Sequence, residues 1–158
     1  MSAAADDAFA PLATLVPHSG AMLLLDRVVS ADAENLCAEV RIHAASMFCD
    51  GRAVGAWVGV EYMAQAIAAH AGFLARGRGE AVKVGFLLGA RRYEARCPEF
   101  AVGAVLRVHV HCALRGENGL GAFECRIVDG CGAPGAALAT ATITVFQPEN
   151  VNDFLQGN

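Results

Sequence analysis

The sequence GVEYMAQAIAAHAGF, residues 59–73, decides the fold because it is apolar on almost every side and still carries a carboxylate. Glu61 and Gln65 stand about one helical turn apart in it. A helix that is apolar nearly all round is typical of a protein interior, so polar side chains within it need a reason. The longest apolar stretch, residues 53–75, predicts such a buried helix. A membrane span is disfavoured, because Glu61 near its middle would cost about 2.5–3.5 kcal/mol.

Composition limits the classes of protein to consider. With 158 residues, 55% of them hydrophobic, we expect one domain over residues 1–158, with a core at about 15–148 and flexible termini. Lys plus Arg total 12 and Asp plus Glu total 16, so the basic surface of a nucleic-acid binder is not expected. Six cysteines without a C-x-x-C pair, and an N-terminus that lacks the pattern of a signal peptide, predict reduced thiols in the cytoplasm.

Strand patterns surround the predicted helix. Residues 21–29 and 36–42 predict two strands before it, and a hairpin through ENGLG joins the alternating runs 105–114 and 122–128 after it. Further strands are predicted over residues 82–88, 91–97 and 137–146. One apolar helix is buried when a sheet curls about it, so we predict an α+β hot-dog fold, a long central helix wrapped by a curved antiparallel sheet. Such a sheet leaves an exposed edge strand, whose pairing predicts a dimer.

Helical geometry places the polar pair among small residues. At about 100° per residue, Glu61, Gln65, Ala68 and Gly72 share one strip, where a ligand or another chain segment has room to approach. Burial raises the pKa of a carboxyl group toward neutrality, which suits a general acid or base. Pairing with a buried arginine, or capping of backbone groups, explains the same carboxylate without catalysis.

Several segments resemble a known family. LVPHSGAMLLLDRVV (residues 15–29) and VEYMAQ (60–65) resemble the L-P-H-R-x-P-x-L-L-V-D-R-V and E-A-M-A-Q segments of the bacterial 3-hydroxyacyl-ACP dehydratases of fatty-acid biosynthesis, which have the hot-dog fold. FLLGARRYEARCPEFAVG (86–103) is similar to that family's segment after the helix. More narrowly, AWVGVEYMAQ, FLLGARRYE, ENGLGAFEC and VFQP resemble the divergent dehydratase-like protein of aryl-polyene pathways.

This resemblance implies an acyl thioester substrate on acyl-carrier protein or CoA, whose phosphopantetheine arm enters a tunnel at a dimer interface, and no bound cofactor. It implies that Glu61 is the general acid or base of the helix and that Gln65 hydrogen-bonds nearby. A backbone N–H at the helix start, where Ala56 takes the place of the family's glycine, polarises the thioester carbonyl. Trp57 and Phe86 are candidates for the tunnel wall, although core packing explains them equally well.

The sequence departs from that family at its catalytic histidine. The family's H-F-P-G stretch falls here on SMFCDGRAVGAW, where Met47 takes the place of the histidine. The substitute bases in this stretch are Cys49 and Asp50. His18, in VPHSG, is the alternative base, although a hydrogen bond to backbone also explains a histidine there.

Other histidines and two arginines have simpler interpretations. We expect His70 to be a core histidine, and a solvent-facing sheet surface with no metal at His109 and His111, because no carboxylate or cysteine stands at ligand spacing. Arg91 and Arg92 fit either attraction of the acidic carrier protein or ordinary surface charge.

Three functions fit these features. The first is a 3-hydroxyacyl-ACP dehydratase, a lyase that uses Glu61 and a substitute for the missing histidine. The second is a non-catalytic or half-site partner subunit of a histidine-bearing hot-dog dehydratase, because the family's histidine and glutamate meet across the dimer interface; whether the chain forms a homodimer or a heterodimer is open. The third is an acyl thioesterase. The likeness of VEYMAQ and its flanking segments to the dehydratases places the first above the others.

Overall fold

The computed structural model describes residues 11–82, 85–131 and 135–148. These residues form one α-helix, α1 (Gly59–Gly77), three short 3-10 helices and eight strands. The 3-10 helices are Leu12–Thr14, Gly20–Met22 and Ala56–Val58. The strands are β1 (Arg27–Ala31), β2 (Asn35–Arg41), β3 (Ala53–Gly55), β4 (Phe86–Ala95), β5 (Glu99–Ala101), β6 (Val105–Arg115), β7 (Leu120–Asp129) and β8 (Ala139–Phe146).

One antiparallel sheet holds most of the described strands, in the order β1-β2-β6-β7-β8-β4, while β3 and β5 pair separately. Helix α1 packs against the sheet, and its Met63 side chain is fully buried among residues such as Val108 and Ile143. The predicted hot-dog fold is therefore confirmed. The predicted hairpin is also confirmed, since β6 and β7 pair around residues 116–119.

Several predicted elements have the wrong bounds. In place of the two strands predicted over residues 82–88 and 91–97, the structure has the single strand β4, Phe86–Ala95. Residues 21–29 are not one strand, because β1 begins only at Arg27. Upstream of it the backbone turns toward the helix, where the Leu24 N–H donates to the side chain of Gln65 at 2.8 Å. Residues 53–75 are not one helix, because they begin as strand β3 and a 3-10 turn before α1 starts at Gly59. Short buried strands and buried helices share the same unbroken apolar pattern, so periodicity does not separate them.

The outer face of β2 is more buried than its alternating sequence predicts. Glu39 points away from the helix and is still only 6% exposed. Its carboxylate lies 3.1 Å from Arg27 Nη2 on β1 and 3.1 Å from Arg107 Nε on β6. Ion pairs with both neighbouring strands therefore cover a side chain that the strand pattern assigns to solvent.

The N-terminal part of the described chain belongs to the core. Leu12 is 6% exposed, although the core was expected to begin near residue 15. The rest of the termini expected to be flexible, residues 1–10 and 149–158, lie outside the described residues. Across the part of the chain that the structure describes, no helix is long and apolar enough to cross a membrane.

Candidate functional site

A cavity of about 600 Å³ lies between α1, the start of β4 and the β6–β7 hairpin. Ala64, Ala68 and Ala71 contribute its helical wall, and Phe86 lies in the opposite wall. The short alanine side chains leave room beside the helix. From the first to the last of them the cavity follows about 10 Å of the helix. The elongated shape suits a linear apolar group.

Glu61 and His18 meet in the wall of this cavity. The Nε2 atom of His18 lies 3.7 Å from Glu61 Oε1. Gln65 donates from its amide nitrogen to the same oxygen at 3.1 Å and to the Met22 carbonyl at 2.7 Å. Its amide oxygen accepts the Leu24 N–H. One turn of α1 therefore holds both the carboxylate and the chain segment that carries the histidine.

The three side chains differ in burial. Gln65 is fully buried, whereas the Glu61 side chain is 42% exposed and that of His18 is 26% exposed. The expected burial thus holds for Gln65 and not for Glu61, which lies in the first turn of α1 at the edge of the cavity. The Nδ1 atom of His18 is buried and has no hydrogen-bond partner among the described residues.

The predicted carbonyl-polarising amide is already paired within the chain. The Ala56 N–H donates to the Pro98 carbonyl at 3.0 Å, and the Ala56 carbonyl accepts a hydrogen bond from the Tyr93 hydroxyl. These contacts fix the 3-10 turn that leads into α1. A donor for a thioester carbonyl therefore has to come from another amide of the helix start.

Of the two aromatic candidates for the tunnel wall, only Phe86 lies in the cavity. Trp57 is 65% exposed and packs instead on Phe48, with ring centroids 5.2 Å apart. Trp57 belongs to the 3-10 turn before α1 and does not line this cavity.

The stretch that replaces the family's histidine lies apart from the cavity. Asp50 accepts hydrogen bonds from the backbone N–H groups of Arg52 and Ala53, both at 2.9 Å. These bonds, the one from Arg52 first, lower the pKa of the Asp50 carboxyl group. Met47 lines a smaller, separate pocket. Of the three predicted replacements, the structure therefore brings His18 to Glu61 and leaves Cys49 and Asp50 in a turn outside the cavity, where the Cys49 sulfur accepts the Gly51 N–H.

The remaining histidines have structural surroundings. His70 is fully buried, its Nε2 atom lies 2.9 Å from the Asp32 carbonyl oxygen, and burial lowers its pKa. His109 lies on the outer face of the sheet, 3.8 Å from the Cys37 thiol, a neighbour that the sequence did not reveal. Burial, and then the charges of Arg126 and Arg107, lower the pKa of His109. Among the described residues, no three or more His, Cys, Asp and Glu side chains group to hold a metal ion.

Sequence reasoning missed the hairpin side of the cavity. Residues 115–121, which are the β6–β7 turn and the adjoining ends of the two strands, line the cavity opposite the helix. Their sequence reads as an ordinary hairpin turn, and nothing in it indicates a ligand. The helical wall was easier to find, since Ala64 and Ala71 flank the strip that Glu61 shares with Ala68.

Comparisons with known proteins agree with this geometry. A family profile described as ApeP-like, ApeP dehydratase, matches residues 10–156. The dehydratase heterocomplex ApeI:P from Xenorhabdus doucetiae contains a chain that is 28% identical, with a TM-score of 0.83 over 94% of this chain and 97% of that chain. No curated protein sequence matches significantly.

More distant structures share the fold alone. A hypothetical thioesterase with coenzyme A from Streptococcus pneumoniae is 12% identical, with a TM-score of 0.59 over 77% of this chain and 84% of that chain. The PaaI protein from E. coli is 14% identical, with a TM-score of 0.56 over 75% and 80% of the two chains.

Proposed function

Because the chain belongs to the ApeP-like dehydratase family, the dehydratase-like proteins of aryl-polyene biosynthesis, we propose that it eliminates water from 3-hydroxyacyl thioesters carried on acyl-carrier protein. The observation that carries this proposal is the meeting of His18 Nε2 and Glu61 Oε1 at 3.7 Å beside an elongated cavity. A base and an acid that both face one cavity are what a β-elimination requires.

His18 and Glu61 divide the two proton transfers of this reaction. His18 accepts the proton from the α-carbon at Nε2, and the electron pair of the broken C–H bond forms the double bond between the α- and β-carbons. Glu61, in its protonated form, gives its proton to the β-hydroxyl group, which leaves as water. The imidazolium then returns its proton to the carboxylate across the short gap between them. Gln65 donates to the same carboxylate oxygen and holds it in place.

The cavity accommodates the acyl chain, and the helix start polarises the thioester. The Ala56 N–H is paired with Pro98 and the Gly59 N–H with the Ala56 carbonyl, so the proposed donor comes from the next amides of the first turn of α1, which have no partner within the helix. The phosphopantetheine arm arrives with the carrier protein or with CoA, so the chain itself supplies no cofactor. All six cysteines carry free thiols, which supports a location in the cytoplasm.

A second subunit completes the proposed assembly. Strand β4 lies at the edge of the sheet and exposes Leu87 and Leu88, which are 46% and 54% exposed. Because an exposed apolar edge favours pairing with another chain, we propose that a histidine-bearing hot-dog subunit docks there. The similar chain from Xenorhabdus doucetiae belongs to the dehydratase heterocomplex ApeI:P, which supports a different subunit over a second copy. In such a pair Glu61 also has access to the partner's histidine.

The test is dehydration of a 3-hydroxyacyl-ACP by the purified chain, alone and mixed with a histidine-bearing hot-dog dehydratase whose own helix carboxylate is replaced by glutamine. The enoyl product is measured by mass spectrometry. We expect product, and a loss of about 10²–10⁴-fold with Glu61→Gln. Product from the chain alone assigns the base to His18, whereas product only in the mixture assigns it to the partner.

Two outcomes contradict the proposal. Equal product with Glu61→Gln removes the carboxylate from the chemistry. Release of free thiol from acyl-ACP without any enoyl product identifies a thioesterase instead.

A further inference from the structure

Residues 11–24, here called the His18 segment, cross the surface of α1 and are held at two places. Gln65 is the first anchor, through its bonds to the Met22 carbonyl and the Leu24 N–H. Gly72 is the second anchor, about two helical turns further along the same strip. A Cβ atom at Gly72 would overlap the Leu15 carbonyl oxygen and would lie 2.7 Å from the carbonyl carbon.

This second contact admits only glycine. Real Cβ atoms essentially never approach backbone atoms closer than 3.0 Å, and a backbone carbonyl does not rotate away as a side chain does. Alanine is otherwise the better residue inside a helix, so a glycine in the middle of α1 lowers the helix propensity at this position. The compensating feature is the close approach of the His18 segment.

His18 follows Leu15 by three residues, so the position of Leu15 constrains the position of His18. Leu15 and Val16 are buried, at 2% and 5% exposure, and Pro17 follows with a fixed φ. The imidazole has little else to orient it, because its Nδ1 atom has no hydrogen-bond partner in the described chain. Its orientation towards Glu61 therefore depends on the backbone that carries it.

We propose that Gly72 is a positioning residue: by admitting the Leu15 carbonyl to the helix surface, it sets the distance between His18 and Glu61. The placement is a property of the chain itself. Its effect on turnover rests on the proposed dehydration.

The test compares Gly72→Ala with Gly77→Ala, the same substitution near the end of the same helix. An added Cβ at Gly77 meets nothing within 4 Å, so this control keeps the His18 segment in place. The first readout is the imidazole resonance of His18 in histidine-labelled full-length protein, assigned by its loss in His18→Ala. We expect Gly72→Ala and Glu61→Gln each to shift the resonance, and Gly77→Ala to leave it unchanged.

The second readout is kcat/KM for dehydration by the chain alone, the state in which His18 is the base. A displacement of a catalytic group by about 1 Å lowers the reaction rate on the order of 10²-fold. Gly72→Ala is therefore expected to reduce kcat/KM by about that factor. The same substitution in a His18→Ala background is expected to cost little more, because both changes remove one contribution. An equal loss in both backgrounds contradicts a role through His18.

The two proposals fail in distinguishable ways. An unchanged His18 resonance in folded Gly72→Ala protein overturns the positioning role, whatever the activity. A shifted resonance in a protein without dehydratase activity leaves the positioning role standing and removes the proposed function. If Gly72→Ala does not fold, Gln65→Met tests the other anchor with a side chain of similar volume; an unchanged His18 resonance there also overturns the dependence of His18 on its segment.

Discussion

Glu61 and Gln65 occupy the same strip of one helix and are held very differently. The side chain of Gln65 is fully buried, and its amide makes three hydrogen bonds. These three bonds fix the orientation of the amide, which takes no part in proton transfer. Glu61 is partly exposed and lies in the first helical turn, with His18 as its ionisable neighbour. The two residues therefore divide the work, since Gln65 holds the geometry and Glu61 remains available for proton transfer.

His70 makes stability depend on pH at the level of a single residue. Burial lowers its pKa below the ordinary value of 6.5, so the unfolded chain binds a proton at pH values where the folded chain does not. Its contribution to stability is complete above about pH 6.5 and is lost as the pH falls toward the folded-state value. We expect the free energy of unfolding in urea to fall between pH 7.5 and 5.5.

The matched variant for this prediction is His70→Gln, which keeps an N–H group to donate to the Asp32 carbonyl. It is expected to lose part of the slope, because glutamine binds no proton in this pH range. The remainder comes from His109, whose pKa is also lowered. An identical slope in the wild type and in His70→Gln contradicts the assignment.

At the level of elements, the start of α1 is fixed by strands rather than by a capping side chain. Val58 is the N-cap residue and makes no side-chain capping bond. The preceding turn is held instead by Ala56, which donates to Pro98 and accepts from Tyr93 on β4. Since Glu61 lies directly after this turn, the sheet and not the helix determines where the carboxylate sits.

Removing one of these bonds tests that arrangement. Burial raises the pKa of Tyr93 to about 12, so its hydroxyl stays protonated and donates to the Ala56 carbonyl. Tyr93→Phe removes that donor and is expected to lower the free energy of unfolding by about 0.5–1.5 kcal/mol. Hydrogen exchange at residues 56–61 is expected to accelerate more than exchange within β6. Uniform acceleration, or none, contradicts a local role at the helix start.

The elements show what local sequence does and does not determine. Helix α1 and the β6–β7 hairpin have long, regular periods, and both were predicted. Strand β3 is short and exists through its pairing with β5, whose residues come much later in the chain, so no local pattern reveals it. The contact of His18 with Glu61 is equally non-local. The sequence identified both residues as candidates, but their meeting depends on the docking of the His18 segment at Gly72.

At the scale of the whole molecule, the two edges of the sheet are unequal. β1 and β4 are the outer strands, with five and ten residues. The register of β4 with β8 shifts between Leu87 and Gly89 and again between Arg91 and Glu94, and Arg92 has a positive φ of 55°, features that discourage regular pairing with further strands. The first half of β4 carries the exposed Leu87 and Leu88. The apolar surface for a partner therefore lies at the same end of β4 as the cavity, which Phe86 and Leu87 both line.

Leu88 is the residue that tests this surface without altering the cavity wall. Leu88→Lys places a charge on the proposed interface and is expected to weaken binding of the hot-dog partner by about tenfold to a hundredfold, because burial of a leucine contributes about 1.5–3 kcal/mol. Leu114→Lys is the control, since Leu114 is 67% exposed on β6, which β7 and β8 separate from β4. Dissociation constants from sedimentation of the mixed subunits decide between them. If both variants weaken binding equally, or neither does, the partner docks on another face of the chain. His18 is then the base that acts with Glu61.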